Sequence, residues 1–143
     1  MTVIRGSFAT TLVAVLLVVA AGCGGSNRAA VTGEVTLDGQ PVEGGTISFI
    51  PADGAAGPPA WGKIEAGRYS IPAREGPPPG TSRVEIRWTR KTGRKLPAVP
   101  PAPPGEMIEE TVEAVPARYN ARSELKAEVQ GGKNTFDFKL KSQ

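Results

Sequence analysis

Proline and glycine decide first what this chain can become. Fourteen prolines stand between Pro41 and Pro116, and sixteen of the eighteen glycines follow Cys23. Both residues are costly inside a helix, proline because it removes a backbone donor and clashes with the preceding turn. No stretch of twelve or more residues beyond Cys23 carries an apolar repeat near 3.6 residues. What recurs is alternation, the mark of a half-buried strand. Val31, Gly33, Val35 and Leu37 share one phase, Ile47 and Phe49 another, and Val84, Ile86 and Trp88 a third against Arg83, Glu85 and Arg87. Trp61–Ile64 and Arg68–Ile71 flank a turn at Glu65-Ala66-Gly67, and Asp38-Gly39 supplies another. Near the end, Leu125, Ala127 and Val129 alternate, Gly131-Gly132-Lys133-Asn134 reads as a hairpin loop, and Phe136, Phe138 and Leu140 alternate after it. The expectation is an all-β fold: a single antiparallel β-sandwich of about seven strands over residues 31–143. Its expected core is Val35, Leu37, Ile47, Phe49, Tyr69, Ile71, Val84, Ile86, Trp88, Leu125, Val129, Phe136, Phe138 and Leu140.

One segment breaks the pattern. In residues 90–107, Arg90, Lys91, Arg94 and Lys95 precede a run with prolines at 97, 100, 101, 103 and 104. Such a run lacks sheet donors and favours polyproline II, so the segment reads as a Pro-rich exposed excursion. Glu106, Glu109, Glu110 and Glu113 follow, in a weak strand ending at Pro116. If strands 81–89 and 108–115 pair, these charges meet across the strands, at about 0.2–1 kcal/mol per pair.

The N-terminus is of another kind. Arg5 is the only charged side chain before Arg28, and an apolar run fills Phe8 to Ala21. A short positive start, a short apolar run and small residues beyond it describe a secretory signal peptide; a spanning helix wants about 20 apolar residues. Ala20-Ala21-Gly22-Cys23 resembles a bacterial lipobox, although Ala20 stands where leucine is common. The resemblance implies diacylglycerol, with palmitate among its acyl groups, on the Cys23 thiol, cleavage before it, and membrane attachment through the acyl chains. Residues 1–22 are then a lipoprotein signal peptide, and 23–30 the lipidated Cys and a flexible Gly-Gly-Ser-Asn tether. Gly24 is not the aspartate that holds lipoproteins of two-membrane bacteria in the inner membrane. By that resemblance the outer membrane is favoured, in a periplasmic or surface-facing cell-envelope location.

Three stretches carry a further likeness. Val31 to Pro51 resembles the first two strands of carboxypeptidase-regulatory-like domains, Gly67-Arg-Tyr-Ser-Ile71 their G-x-Y-x-[ILV] strand, and Gly80 to Ile86 the strand that follows. Pro116 to Asn120, Ser123 to Val129 and Asn134 to Leu140 resemble the ending of small lipoproteins numerous in planctomycete bacteria. The likeness implies a transthyretin-like (prealbumin-like) β-sandwich on the cell envelope, with a structural or interaction role and no biochemical activity to carry over.

Chemistry is sparse. Histidine is absent, which removes Ser-His-Asp and Cys-His catalysis and His-based metal sites. One cysteine makes no internal disulfide and no Cys-cluster zinc site. No P-loop, dinucleotide fingerprint or Asp-x-Asp-x-Asp calcium loop occurs, and Glu109 and Glu110, adjacent on a strand, face opposite ways and make a poor glycosidase pair. The expectation is a protein without catalysis or cofactor. A net charge of +3 does not point to nucleic acid. The alternative is a module that binds carbohydrate or an anionic polymer, with Trp61, Arg90, Lys91, Arg94 and Lys95 as its contact surface and an envelope polysaccharide or protein as partner. Trp88 follows Val84 and Ile86 in phase and reads as core. Trp61, beside a Pro/Gly loop, leans toward core over a sugar platform. Tyr119-Asn120 reads as a tight corner.

Overall fold

A computed structural model describes residues 27–143. The expected signal peptide (1–22), Cys23 and the first part of the expected tether lie outside the described residues. The described chain is all-β apart from one 3-10 turn at Ala117–Tyr119. Its strands are β1 (Ala30–Leu37), β2 (Gln40–Pro41), β3 (Gly44–Pro51), β4 (Ala60–Glu65), β5 (Arg68–Ile71), β6 (Gly80–Arg87), β7 (Thr89–Pro97), β8 (Met107–Glu113), β9 (Lys126–Val129), β10 (Lys133–Thr135) and β11 (Phe138–Leu140). The expected count of about seven is too low. β2, β7 and β10 are strands that alternation does not mark, because none has an apolar face of its own.

The main sheet runs β10-β1-β5-β4-β3-β6-β9, with β2 and β11 also on β1. Two tight reversals build its centre. Asp38 and Gly39 both have positive φ between the paired residues Leu37 and Gln40, and so do Ala66 and Gly67 between Glu65 and Arg68. Two successive positive φ values define the hairpin turn that matches strand twist. At Gly67 the demand is double, since a Cβ there would also stand 2.7 Å from the Pro41 Cβ.

The sheet curls until its inner face meets itself, which gives the domain β-sandwich character. Phe49 of β3 lies 6.1 Å, centroid to centroid, from Tyr69 of β5 and 6.2 Å from Phe136, and Tyr69 lies 6.5 Å from Phe138 of β11. Ten of the expected core residues are buried, and Leu37, Trp88, Leu125 and Phe136 pack against them while partly exposed. Val31, Val42, Ile64 and Val115 complete the buried set with small alanines. Burying one such large side chain fully contributes about 1.5–3 kcal/mol.

The last part of the chain departs from expectation. β9 and β11 do not form a hairpin. β9 pairs with β6 (Ser82 opposite Ala127), whereas β10 and β11 pair with β1, and in parallel (Val31 opposite Asn134, Val35 opposite Phe138). The sheet is therefore not purely antiparallel. Period-two alternation identifies an apolar face but not the strand beside it. Asn134 decides the outcome locally. Its carboxamide takes both backbone groups of Gln130, at 2.9 Å each, and also donates to Ala30 O at 3.4 Å. The chain thus crosses from one sheet edge to the other, where it covers β1. It passes so close that a Cβ on Gly33 would overlap the Phe136 carbonyl oxygen.

A fixed corner precedes β9. Asn120, buried, donates from Nδ2 to Val115 O at 3.0 Å, and its Oδ1 accepts from the Ala121 N–H. Ser123, also buried, donates to Val84 O and accepts from the Leu125 N–H at 3.2 Å.

Candidate functional site

Three places on the surface concentrate chemistry. The first is the segment expected to be an irregular excursion. Residues 89–97 instead form β7, which pairs with β8 (Thr89 opposite Glu113, Leu96 opposite Ile108) and with no other strand among the described residues. The strand expected over 108–115 therefore joins β7 and not residues 81–89. Arg90–Lys95 contains no proline, and β8 offers a charge-complementary partner, so a ladder forms, with an irregularity between Lys91 and Lys95. The proline run is not extended polyproline either. Ala98 N–H donates to Glu106 O (2.8 Å), Ala102 N–H to Val99 O (3.2 Å) and Glu106 N–H to Pro103 O (3.1 Å), which folds residues 98–106 into turns closing the ribbon. At its root the Glu113 carboxylate accepts the N–H groups of Trp88 (2.8 Å) and Val115 (3.2 Å).

Four sequence-predicted contact residues, Arg90, Lys91, Arg94 and Lys95, are thereby brought onto one exposed strand. Their charge is largely met from within. Lys91 Nζ lies 2.7 Å from Glu109, whose hydrogen bond and charge raise the lysine pKa. Arg94 lies 3.6 Å from Glu110, which also accepts from the Thr92 hydroxyl at 2.7 Å. The Arg90 guanidinium sits 5.3 Å over the Trp88 ring, a cation–π contact. Lys95 has no ion pair among the described residues. The ribbon also leaves Val99, Met107, Ile108 and Val112 exposed.

Trp61 lies elsewhere. It stands opposite Ser48, which stands opposite Glu85, so the basic strand begins several residues farther along β6 and β7. The core expectation for Trp61 is overturned: the side chain is 63% exposed. Ala60 and Ile64 point inward and Gly62 rests on Ile71 and Ile47, which turns Trp61 to the outside. It borders a small surface pocket of about 320 Å³ with Arg28, Pro58, Pro59, Arg74 and Glu75. Arg28 is fixed there by donating to the carbonyls of Gly76 (2.5 Å) and Glu75 (3.3 Å).

The third place is an open depression of about 800 Å³ on the outer face of β4, β5, β1 and β10. One row across it is charged: Glu65 opposite Arg68, opposite Glu34. Arg68 lies 2.9 Å from Glu34, and the Asp137 carboxylate accepts the Glu34 N–H at 2.9 Å. Lys63 and Glu65 pair at 2.6 Å, and that hydrogen bond raises the lysine pKa and lowers that of the carboxyl. The next row is hydroxylated: Ser70 opposite Thr32, opposite Thr135. Tyr69 lies under it, its hydroxyl donating to Phe136 O at 2.8 Å, with burial first and the Asp137 charge second pushing its ionisation up. Alternation shows that Thr32, Glu34, Arg68 and Ser70 face outward. It does not show that β1 and β5 are neighbours, so this cluster is invisible in the sequence.

Among the described residues, no three acidic, histidine or cysteine side chains gather to hold a metal ion, and no helix is long and apolar enough to cross a membrane. Cys23 lies outside the described residues.

No protein-family model and no curated protein matches the chain. Among solved structures it is similar to a DUF3823 family protein from Parabacteroides merdae ATCC 43184, at 15% identity and a TM-score of 0.38, over 78% of this chain and 45% of that one. The chain thus spans less than half of that protein's length.

Proposed function

We propose that this is a lipid-anchored, non-catalytic cell-envelope protein whose transthyretin-like β-sandwich, of the carboxypeptidase-regulatory-like kind, serves as a stalk for contact with another envelope component. Acyl chains on Cys23 hold it to the outer membrane, and the β7–β8 ribbon is the contact element. The ribbon carries the contact role, and the lipobox likeness at Ala20–Cys23 carries the anchor. A two-stranded ribbon has little stability of its own. This one stands clear of the core and exposes four large apolar side chains, Val99, Met107, Ile108 and Val112. Ile108 and Val112 share one face of β8, and exposed apolar side chains on one face favour a contact. The internal pairing of Lys91 and Arg94 with Glu109 and Glu110 speaks against a polyanion, including nucleic acid, as what they meet.

Metabolic labelling with a palmitate analogue and membrane fractionation test the anchor. The wild-type chain takes up label and sediments with membranes, and Cys23→Ser does neither. An unmodified thiol on the exported chain sinks the proposal.

A second reading, a carbohydrate-binding module, is favoured by the depression over β4, β5, β1 and β10. Its hydroxyls at Thr32, Ser70 and Thr135 and charges at Glu34 and Arg68 match the donors and acceptors of a sugar ring. A glycan array of residues 27–143 separates the two readings. Binding lost in Glu34→Gln supports the depression, and binding lost in Trp61→Ala or Arg90→Glu supports the contact surface read from the sequence. A blank array leaves the first reading alone.

A further inference from the structure

The strand registers give the domain two distinct ends. β1, β4, β6 and β10 begin at one end, and β3, β5 and β9 finish there. Val31 stands opposite Ile71, and Ile71 packs beside Gly62. Trp61 is therefore level with Ala30, the first residue of the sheet. β6 finishes at the other end, and β7, which follows after Trp88, runs for nine residues, about 30 Å at strand rise, paired with β8 alone among the described strands.

On the lipid-anchored reading, the stretch between Cys23 and the sheet is short. Ala29 N–H donates to Pro77 O at 2.9 Å, and Arg28 is held on Gly76. Four residues lie between Cys23 and Arg28, and the five steps they make reach at most about 18 Å even when fully extended. What surrounds Arg28 suits a bilayer surface. Trp61 is exposed, Pro58 and Pro59 flank it, and Arg74 and Arg28 line the same pocket. Lys133, paired with Ala30, adds a third cation to this end. Glu75 opposes them there, 2.8 Å from Arg74. Tryptophan favours the headgroup level, where its ring is in apolar surroundings and its N–H stays wet. Cations within a Debye length of anionic lipid are drawn to it.

We propose that this end of the domain rests on the membrane, with Trp61 at headgroup level and Arg28 and Arg74 on lipid phosphates, so that the β7–β8 ribbon points away from the bilayer. The proposal rests on the lipid-anchored reading above and adds an orientation to it: the chain stands upright and does not swing freely on its tether.

The test uses the acylated full chain on vesicles of phosphatidylethanolamine and phosphatidylglycerol, with and without lipids brominated near the headgroup. In Trp88→Phe, Trp61 is the sole tryptophan, excited selectively above the tyrosine band. Its emission shifts to the blue on vesicles and loses intensity on brominated lipid, and Arg28→Gln with Arg74→Gln reduces that loss. Val99→Trp in a Trp61→Phe, Trp88→Phe background reports the ribbon tip and keeps its intensity. Hydrogen exchange on the unsubstituted chain gives an independent reading: the amides of 56–61 and 72–78 become protected on vesicles and those of 98–106 do not. A floating, acylated chain whose Trp61 is unquenched, or whose ribbon tip is quenched equally, overturns the orientation and leaves the anchor standing. A chain that neither floats nor carries acyl groups overturns both.

Discussion

β6 and β7 follow one another in the chain, separated by Trp88 alone, and they live in different worlds. β6 buries Ser82, Val84 and Ile86, whereas every residue of β7 except Leu96 is exposed. Among the described residues, β6 has neighbours on both sides, and β7 has only β8. Both are ladders, but the sheet is held by side chains withdrawn from water. The ribbon is held by backbone hydrogen bonds, by exposed ion pairs worth little each, and by the Glu113 clamp at its root. A strand does not need an apolar face to form. It needs one to contribute to the stability of the fold.

The widest difference is expected in hydrogen exchange. Amides of β3 and β6 should open only with global unfolding, and those of β7 and β8 by local opening at far lower cost. Equal protection would break the distinction. Next in size are core truncations. Phe49→Ala should cost about 3–5 kcal/mol in urea unfolding, while Ile108→Ala on the ribbon should fall within about 0.5 kcal/mol of wild type. A large cost at Ile108 would mean that the ribbon is covered.

Two buried serines sharpen the comparison inside the sheet. Ser123 has two backbone partners, and Ser82 has none. Ser123→Ala should destabilise by about 1–3 kcal/mol, since it leaves backbone groups unpaired. Ser82→Ala should be neutral or stabilising, because the hydroxyl it removes is buried and unmatched. Chemical denaturation of the two variants checks both.

The smallest effects are those of pH, and they differ in sign between the regions. Lys91, on the ribbon, has its pKa raised by Glu109, so its contribution is complete below the ordinary lysine pKa and fades as pH rises through the folded value. Glu65, on the sheet's outer face, has its pKa lowered by Lys63. Its contribution is complete above the ordinary carboxylate range and is lost as pH falls through the folded value. NMR titration of the two side chains should show these opposite displacements, and Glu109→Gln should return Lys91 to the ordinary range.

Much of the fold was legible, and the reason is the same at each place. Val84 and Ile86 on β6, Ile47 and Phe49 on β3, and the Asp38-Gly39 reversal announce themselves through alternation and turn chemistry. β7 is not legible, because Arg90–Lys95 offers no apolar alternation and the prolines beyond it have no N–H to give a ladder. Trp61 was misplaced for a related reason. Next to a loop, strand phase is set by where the ladder begins, and Ile64 and Gly62, three residues and one residue away, set it. The depression around Glu34 and Arg68 was out of reach altogether, since it consists of residues that only strand neighbourhood brings together.

By itself, then, the sequence determined that the chain is made of strands, where most of them run and which faces are apolar. These are local properties, written in proline, glycine and period two. The tertiary structure alone decided which strand lies beside which: β9 on β6, β10 and β11 along β1, β7 on β8. An apolar face is satisfied by any neighbour that excludes water, so the choice falls to whatever closes the sheet with its backbone groups paired. Here that was the Asn134 carboxamide, bridging Gln130 and Ala30 across the gap between the two edges.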